Sequence, residues 1–335
     1  MEHKAYLYKN LENGKVRCNL CSHRCEIGVG KIGICRVRKN KDGELYTTVY
    51  GETVSAGVDP IEKKPMYHFL PGTGAYSIAT AGCNFKCGFC QNWRISQTDG
   101  SKIFGTRSMP PREVVKNAIS KEARSIAYTY TEPTIFFEYA YNTAKLASKK
   151  GIKNIFVTNG FMTKEALDMI APYLDGANVD LKYFKDSSYR KICNGRLEPV
   201  LQSIKYMKEL GIWLEVTTLI IPGENGSDEE LKNIAEFIAG VDKNIPWHIS
   251  MFVARYKYKT TPSTPVKTLK KAIRIGKESG LKFIYLGNVG RRTITRCTSC
   301  EENLISRTVY NVELNRLTGD GKCPECAQKI PGIWS

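Results

Sequence analysis

The amino-acid sequence predicts an α/β fold, a partial (β/α) TIM-like barrel with a small cysteine-rich metal-binding extension at each end of the chain. The barrel is predicted because β-type runs alternate with segments of helical periodicity, the pattern of a parallel sheet with crossover helices. The extensions are predicted because cysteines cluster near both termini. We expect strands at 75–81, 125–130, 154–158, 177–181, 213–220, 247–252 and 283–286. We expect helices at 111–122, 135–149, 164–174, 200–210, 228–239 and 267–279.

The chain divides into three predicted regions. Residues 1–60 form the N-terminal cysteine region, 61–290 the barrel and 291–335 the C-terminal cysteine region. A length of 335 residues is enough for one large catalytic domain with metal-bound appendages. The 12 cysteines fall into three local sets and one remainder, Cys193, which is more typical of a small packed residue than of a ligand.

The first cysteine set has the spacing C-x2-C-x3-C-x9-C and comprises Cys18, Cys21, Cys25 and Cys35. This irregular spacing and the glycine-rich stretch 28–33 favour an auxiliary 4Fe-4S cluster, with zinc as the open alternative. Disulfides would be a third interpretation, but residues 1–4 do not lead into the apolar core of a secretory signal. We therefore expect metal-bound thiolates in a reducing cytoplasm.

The central set lies directly after the first barrel strand, with the spacing C-x3-C-x2-C in Cys83, Cys87 and Cys90. Four cysteines are the usual ligands of a 4Fe-4S cluster. Three thiols without a fourth in the loop therefore predict a cluster with one iron open to a non-protein ligand, for which S-adenosylmethionine is the natural candidate. A zinc knuckle or a partial disulfide set is the alternative interpretation.

Polar side chains follow the next three predicted strands. Chemistry in barrels of this kind gathers at the C-terminal ends of the strands, so we expect these side chains to face one cavity. Glu132, flanked by hydroxyls, could hold an ammonium group, and Asn159 could reach a ribose. Asp180 and Lys182 share one strand face and could hold a carboxylate or a cation. Ordinary loop capping is the alternative for each residue.

The last cysteine set consists of two C-x2-C knuckles, formed by Cys297, Cys300, Cys323 and Cys326. Paired knuckles hold one tetrahedral metal well because each turn presents two thiolates. The sequence therefore predicts zinc or a rubredoxin-like single iron in this region.

The chain is strongly basic, with 50 Lys and Arg against 33 Asp and Glu and a formal charge of +17. A solvated basic surface is one explanation. Phosphate-bearing lipid head groups or an acidic protein are candidate partners. Nucleic acid is unlikely on this evidence, because no basic tract is interleaved with aromatic residues. No apolar run reaches the ~18 residues of a membrane span, so we expect a cytoplasmic protein with peripheral membrane contact as an option.

Together these motifs resemble the radical S-adenosylmethionine (radical SAM) superfamily, in which the run 81–93 is the cluster loop. Other segments resemble the branch related to pyruvate formate-lyase activating enzymes, namely 128–134, 157–160, 179–182, 215–223 and 246–250. Within that branch the chain is most similar to the AmmeMemoRadiSam-system radical enzymes. The resemblance spans almost the whole chain and implies a barrel of radical SAM type.

The resemblance also implies roles for particular residues. The catalytic 4Fe-4S cluster would be held by Cys83, Cys87 and Cys90. Bound S-adenosylmethionine would be contacted at its methionine end by Glu132, Asp180 and Lys182, at the ribose by Asn159 and at the adenine by Phe89. His248 would lie near the nucleoside, with a structural core histidine as the alternative. An external electron donor such as ferredoxin or flavodoxin is implied as well.

The sequence departs from the family pattern on the expected substrate side. The stretch 251–256 lacks the Phe-His-Pro run expected in close relatives, and 290–292 replaces a proline-containing turn. These differences bear on the substrate and leave the cluster loop untouched.

Three functions follow from the resemblance and the residues. The first is an oxidoreductase of archaeal lipid biosynthesis that bridges the alkyl chains of tetraether lipids through a new carbon–carbon bond, and it requires a long apolar tunnel beside the cofactor. The second is an activating or modifying enzyme of a protein substrate, of the glycyl-radical activase or AmmeMemoRadiSam-system kind, and it requires an open groove. The third is a binding or assembly protein with a structural cluster.

Overall fold

The computed structural model of the chain describes residues 2–98 and 106–335. Its N-terminal part forms two small antiparallel sheets, ordered β1-β6-β5 and β2-β3-β4, from strands β1 (His3–Lys4), β2 (Tyr8–Asn10), β3 (Val16–Cys18), β4 (Glu26–Ile27), β5 (Arg38–Lys41) and β6 (Glu44–Thr47). Arg38 on β5 is buried and pairs with the equally buried Glu138 at 2.5 Å. This ion pair joins the N-terminal lobe to the rest of the protein.

The centre of the described protein is a nine-stranded sheet. Its strands are β7 (Glu52–Pro60), β8 (Gly74–Thr80), β9 (Arg107–Ser108), β10 (Ser125–Tyr128), β11 (Lys153–Thr158), β12 (Gly176–Asp180), β13 (Trp213–Ile220), β14 (Trp247–Met251) and β15 (Ile284–Gly287). The order is β15-β14-β13-β12-β11-β10-β8-β7-β9, and the run from β8 to β15 is parallel. Within the described residues β9 and β15 are the free edges, so the predicted partial barrel is confirmed.

Helices connect the parallel strands and cover the outside of the sheet. They are α1 (Trp93–Ser96), α2 (Pro111–Ser120), α3 (Phe137–Ser148), α4 (Lys164–Ile170), α5 (Asp186–Ser188), α6 (Leu197–Glu209), α7 (Asp228–Val241) and α8 (Val266–Glu278). Two begin at N-cap side chains, since Thr163 accepts from Ala166 N and Ser227 from Glu230 N. All seven predicted strands and six predicted helices are present.

Prolines and one left-handed residue shift the predicted boundaries. The helix expected from residue 135 is preceded by a 3-10 turn, Pro133–Phe136. The helix expected to end at 174 stops at Ile170 and is followed by another 3-10 turn, Ala171–Tyr173. The second predicted strand ends at Tyr128 rather than at 130, because Tyr130 has φ +66° and leaves the extended conformation.

The stretch between β7 and β8 runs through the barrel interior. The Asn178 side chain donates to Pro65 O at 2.8 Å from inside the sheet. A Cβ at Gly176 would lie 3.0 Å from Met66 and Phe69, so only glycine allows this close approach. The C-terminal tail closes the same end of the barrel, where Leu70 N donates to Ile333 O at 2.7 Å.

The C-terminal lobe is a three-stranded antiparallel sheet of β16 (Arg292–Arg296), β17 (Asn303–Thr308) and β18 (Asn311–Asn315). Arg307 on β17 is fully buried and pairs with Glu62 at 3.4 Å. The lobe is therefore anchored to the interior stretch of the barrel. The boundaries of the three predicted regions remain predictions, and β7, which lies inside the predicted region 1–60, pairs with β8 of the barrel.

Candidate cluster and cofactor site

One cavity of about 530 Å³ lies at the C-terminal ends of the parallel strands. The predicted cluster and cofactor residues all line it: Cys83, Cys87, Phe89, Cys90, Glu132, Asn159, Asp180, Lys182 and His248. The structure thus brings together side chains from the cluster loop, from the ends of β10, β11 and β12, and from the start of β14, where His248 lies. Their individual roles toward a cofactor stay predictions.

The three loop thiols are held by local contacts of the cluster loop. Phe85 N donates to Cys83 Sγ at 3.3 Å, and Cys90 Sγ lies 3.2 Å from Ser96 Oγ at the end of α1. Burial raises the pKa of Cys83 and Cys90. The thiol of Cys193 hydrogen-bonds Cys87 and lowers the pKa of that group.

The contact with Cys87 adds to what the sequence indicated for Cys193. Cys193 is fully buried, as expected for a packed residue. Its carbonyl also accepts from Lys86 N of the cluster loop at 2.8 Å. Hydrogen bonds to the ligand sulfurs are one way in which a protein sets the potential of a cluster. Cys193 is therefore placed to tune a cluster bound by this loop.

Glu132 is buried, and protein groups already occupy its carboxylate. Oε1 accepts from Thr134 N, Thr134 Oγ1 and Thr158 Oγ1 at 3.1, 2.6 and 2.7 Å. Oε2 accepts from Asn159 N at 2.8 Å. Burial raises the pKa of Glu132 while these hydrogen bonds oppose the rise. The carboxylate thus fixes the ends of two neighbouring strands at the cavity wall.

Asn159 connects this wall to the cluster loop. Its amide donates to Asn84 Oδ1 at 2.7 Å and its carbonyl oxygen accepts from Phe161 N at 3.0 Å. Its Nδ2 also lies 3.9 Å from Cys83 Sγ. The side chain is therefore held in one orientation beside the first loop thiol.

Asp180 and Lys182 form an ion pair of 2.7 Å on one face, as their strand spacing predicts. Lys182 Nζ lies 5.9 Å from the ring centre of Phe89. Burial alone would lower the pKa of Lys182, but Asp180 and Cys87 hold it well above its usual range. The lysine is a permanent cation directly beside the cluster loop.

His248 is paired with Glu215, a residue that the sequence analysis did not single out. Its Nε2 lies 2.6 Å from the Glu215 carboxylate. Glu215 also accepts from Tyr67 N, His68 N and Trp213 Nε1. Burial would raise the pKa of Glu215, but His248 lowers it. A carboxylate on a predicted inner strand was a signal available in the sequence, because charged residues are rarely buried unpaired.

The cavity wall facing the cluster loop comes from the interior stretch and the C-terminal lobe. Lys63, Tyr67, Arg291, Val309 and Tyr310 line it. Val309 is a β-branched residue at φ +56° in the two-residue turn between β17 and β18, where Gly or Asn is usual. Strained backbone of this kind is concentrated at functional sites. Of the two stretches that depart from the family pattern, 290–292 contributes Gly290 and Arg291 to the cavity wall, whereas no residue of 251–256 lines it; their relation to a substrate stays a prediction.

The four N-terminal cysteines surround a small cavity of their own. It is lined by Cys18, Cys21, Cys25 and Cys35 together with His23 and Arg38. Among the described residues, the C-terminal cysteines are the group whose ligand atoms all lie within 4.8 Å of one another, and the N-terminal cysteines do not form such a group. The four thiols thus border one small cavity, and the metal group that they would hold stays a prediction.

The C-terminal cysteines fit a single metal ion. Sγ of Cys297 and Cys326 are 3.6 Å apart, as are those of Cys300 and Cys323. Tetrahedral zinc with Zn–S bonds of ~2.3 Å requires sulfur separations of about 3.8 Å. Burial would raise the pKa of Cys297, but backbone N–H groups of Cys300 and Ser299 bring it to about 7. The cysteines thus have the geometry of a tetrahedral site.

Comparison with known proteins agrees with this geometry. The profile of the Radical SAM superfamily matches residues 77–238. An uncharacterized protein of Methanocaldococcus jannaschii is 41% identical over 333 residues, which cover 98% of both chains. The pyruvate formate-lyase-activating enzyme of Clostridium pasteurianum is 19% identical over 166 residues, covering 48% of this chain and 67% of that one. The chain belongs to the radical SAM superfamily. It is a radical SAM enzyme, and its fold implies a 4Fe-4S cluster and S-adenosylmethionine.

Two further similarities extend the comparison. Another M. jannaschii protein, assigned provisionally by its name to the glycyl-radical enzyme activating enzymes, is 28% identical over 217 residues, 64% of this chain and 78% of that one. The structure of Streptococcus suis SuiB bound to precursor peptide SuiA aligns with a TM-score of 0.51 at 15% identity, covering 68% of this chain and 51% of that one. This last similarity concerns the fold alone.

Proposed function

We propose that this radical SAM enzyme takes a hydrogen atom from a polypeptide substrate bound in the open cavity at the C-terminal ends of the strands. The observation that carries the proposal is the chemistry of the cavity wall. Carboxamides of Gln91, Asn92 and Asn288 line it. Asn92 and Asn288 each donate to a backbone carbonyl of the protein, at 2.8 and 3.2 Å, and their side-chain oxygens and the Gln91 carboxamide can pair with peptide groups. Relatives named as activating enzymes support the same substrate class.

Charge supports a polypeptide with acidic groups near the reacting position. Lys63 and Arg291 line the mouth of the cavity, and the chain carries a formal charge of +17. Opposite charges steer association and set the register of a bound partner. Of the carboxylates in the wall, Glu132 is occupied by hydrogen bonds, Asp180 by Lys182 and Glu62 by Arg307. Lys63 is in turn paired with Asp59 at 2.7 Å, so Arg291 is the main source of positive charge in this part of the wall.

The tetraether-lipid hypothesis has less support from the cavity. That function requires a long apolar tunnel, because alkyl chains gain free energy only by leaving water for an apolar surface. The described part of this wall is instead mixed, with polar and charged side chains such as Asn92 and Arg291 beside apolar ones such as Leu219, Leu286 and Val309. We therefore rank lipid bridging below polypeptide modification. As a separate finding, no helix of the described residues has the length and apolar character needed to cross a membrane.

The residues at the site would share the work as follows. Cys83, Cys87 and Cys90 would hold three irons of the cluster, and Lys182, Asp180 and His248 would orient the cofactor. When bound and reduced, cluster and S-adenosylmethionine supply a 5′-deoxyadenosyl radical that removes hydrogen from an unactivated C–H bond. We further propose an auxiliary 4Fe-4S cluster at the N-terminal cysteines and a single Zn or Fe at the C-terminal ones.

Deuterium transfer tests the substrate class. Cells that make the protein are grown on deuterated medium, and their protein and lipid fractions are separated. Each fraction is incubated anaerobically with reconstituted enzyme, dithionite and unlabelled S-adenosylmethionine. We expect deuterium in 5′-deoxyadenosine with the protein fraction and none with the lipids. Label arriving only from the lipid fraction would overturn the proposal in favour of lipid bridging.

A further inference from the structure

The loop at residues 28–36, here called the apolar loop, displays apolar side chains to solvent next to the N-terminal cysteine site. Val29, Ile32 and Ile34 are exposed by 47%, 51% and 39%. Of the 12 large apolar side chains exposed in the described residues, three thus fall within six positions. Scattered exposed apolar side chains need no explanation, but a local group of them is typical of an interaction surface.

The apolar loop is held in place by backbone contacts. Gly33 N donates to Arg38 O and Gly30 N to Asn40 O, both at 2.9 Å. Gly33 packs so closely that a Cβ there would lie 3.2 Å from Ile27. The exposed side chains are therefore presented on a fixed backbone, which reduces the entropy lost when a partner binds.

The charge of the apolar loop selects an acidic partner. Lys31 and Arg36 are exposed within it, and the sequence from 27 to 41 contains no Asp or Glu. A second copy of this chain would bring the same cations against one another, which disfavours self-association through this face. A carrier protein with an acidic rim around a small apolar contact is complementary to it.

The position of the apolar loop connects it to the central cluster loop. Cys35 lies within it and lines the N-terminal cysteine cavity. The Cys35 carbonyl oxygen is 3.1 Å from the point where Gly82 would carry a Cβ, and Gly82 directly precedes Cys83. On the other side of the cavity, His23 Nε2 lies 2.9 Å from Asn84 O. The N-terminal site thus packs directly between the apolar loop and the cluster loop.

We propose that the apolar loop is the docking face for an acidic one-electron carrier protein, which would sit beside the N-terminal cysteines that could hold an auxiliary cluster. The carrier is oxidised by one electron and the enzyme reduced by one, so the transfer requires no proton or co-reactant. The inference rests on the proposed auxiliary cluster and on the electron requirement of radical SAM chemistry.

Binding and reduction with a purified two-cluster ferredoxin test the proposal. The full-length, anaerobically reconstituted enzyme is compared with Ile32→Asp and with Lys31→Glu. Val266→Asp and Lys267→Glu on α8 are matched controls, because Val266 is 46% exposed beside an exposed lysine. Affinity is measured by calorimetry at low and high salt, and reduction by stopped-flow bleaching of the visible cluster absorbance.

We expect each apolar-loop variant to weaken ferredoxin binding by about tenfold or more and to slow reduction in proportion, while the α8 controls behave as wild type. Reduction by dithionite should be the same in all five proteins, which separates this inference from the proposed function. Unchanged ferredoxin affinity in Ile32→Asp would overturn the proposal. Equal losses of affinity in the α8 controls would also overturn it. A third contradicting result would be sedimentation data showing that the apolar loop joins two copies of the enzyme while ferredoxin still binds.

Discussion

The buried ion pair between Arg307 and Glu62 controls how the C-terminal lobe sits on the barrel. Both side chains are fully buried, and Arg307 also donates to Thr295 Oγ1 at 3.0 Å and to Tyr67 O at 2.6 Å. Arg307→Met keeps much of the volume but leaves the Glu62 carboxylate buried without its cationic partner, although Gly72 N still donates to it at 3.0 Å. Breaking one side of a buried pair costs about 3–5 kcal/mol.

Removing both charges should cost less than removing one. In Glu62→Gln/Arg307→Met no uncompensated charge remains. The free energy of unfolding then falls mainly because Thr295 Oγ1 and Tyr67 O lose their hydrogen bonds from Arg307, at about 1 kcal/mol each. We therefore expect a double variant that is more stable than Arg307→Met alone. The assay is anaerobic urea unfolding of the metal-loaded protein, followed by tryptophan fluorescence.

The pH dependence of the single variant gives a second check. Burial raises the pKa of Glu62 and Arg307 opposes the rise, so Arg307→Met should raise this pKa further. A carboxyl whose pKa is raised in the folded state lowers stability as pH rises through that pKa, and the cost disappears at pH values below the unfolded pKa. The deficit of Arg307→Met should thus be larger at neutral pH than near pH ~4. A deficit that is independent of pH, or a double variant less stable than the single one, would refute the reasoning.

Three further predictions concern two of the cysteine sites and His68, which lies in the interior stretch between β7 and β8. Cys193→Ala should lower the midpoint potential of the central cluster by roughly 30–60 mV in an EPR redox titration, because a hydrogen bond that stabilises the more negative state is lost; an unchanged potential would contradict the assigned contact. Cys300→Ser should reduce the metal content by one ion per chain in elemental analysis and expose the C-terminal lobe to protease, whereas retention of the ion would argue against a four-thiolate site. Burial lowers the pKa of His68 to about 4. The free energy of unfolding should therefore fall by about 3 kcal/mol as pH drops from ~6.5 toward ~4. His68→Gln should remove this acid sensitivity, and an equally acid-sensitive variant would contradict the assignment to His68.

The cysteine spacings carried much of what could be predicted from the sequence. Short spacings fix local geometry, so the three thiols of the cluster loop and the C-terminal tetrahedron followed from the order of residues. The strand-end position of Glu132, Asp180 and Lys182 followed from the barrel topology, because parallel strands bring their C-terminal ends to one edge.

Contacts between distant parts of the chain could not be predicted. The interior stretch between β7 and β8, residues 61–73, and its partner Glu215 depend on tertiary packing that no local pattern encodes. Cys193 lies far from Cys87 in the sequence, and its hydrogen bond depends on how the π-helix Tyr189–Cys193, which follows α5, folds back. The polarity of the cavity likewise comes from many separate elements, so the lipid hypothesis, which rested on resemblance, could not be weighed against it beforehand.

The most direct test of the account is cofactor cleavage by the wild type and Cys87→Ala. Both are reconstituted anaerobically with iron and sulfide, reduced with dithionite and given S-adenosylmethionine, and 5′-deoxyadenosine is quantified by mass spectrometry. Cys87 supplies one of only three thiols in the cluster loop, so the account predicts 5′-deoxyadenosine from the wild type and none above background from the variant. Equal amounts from the two proteins would contradict it.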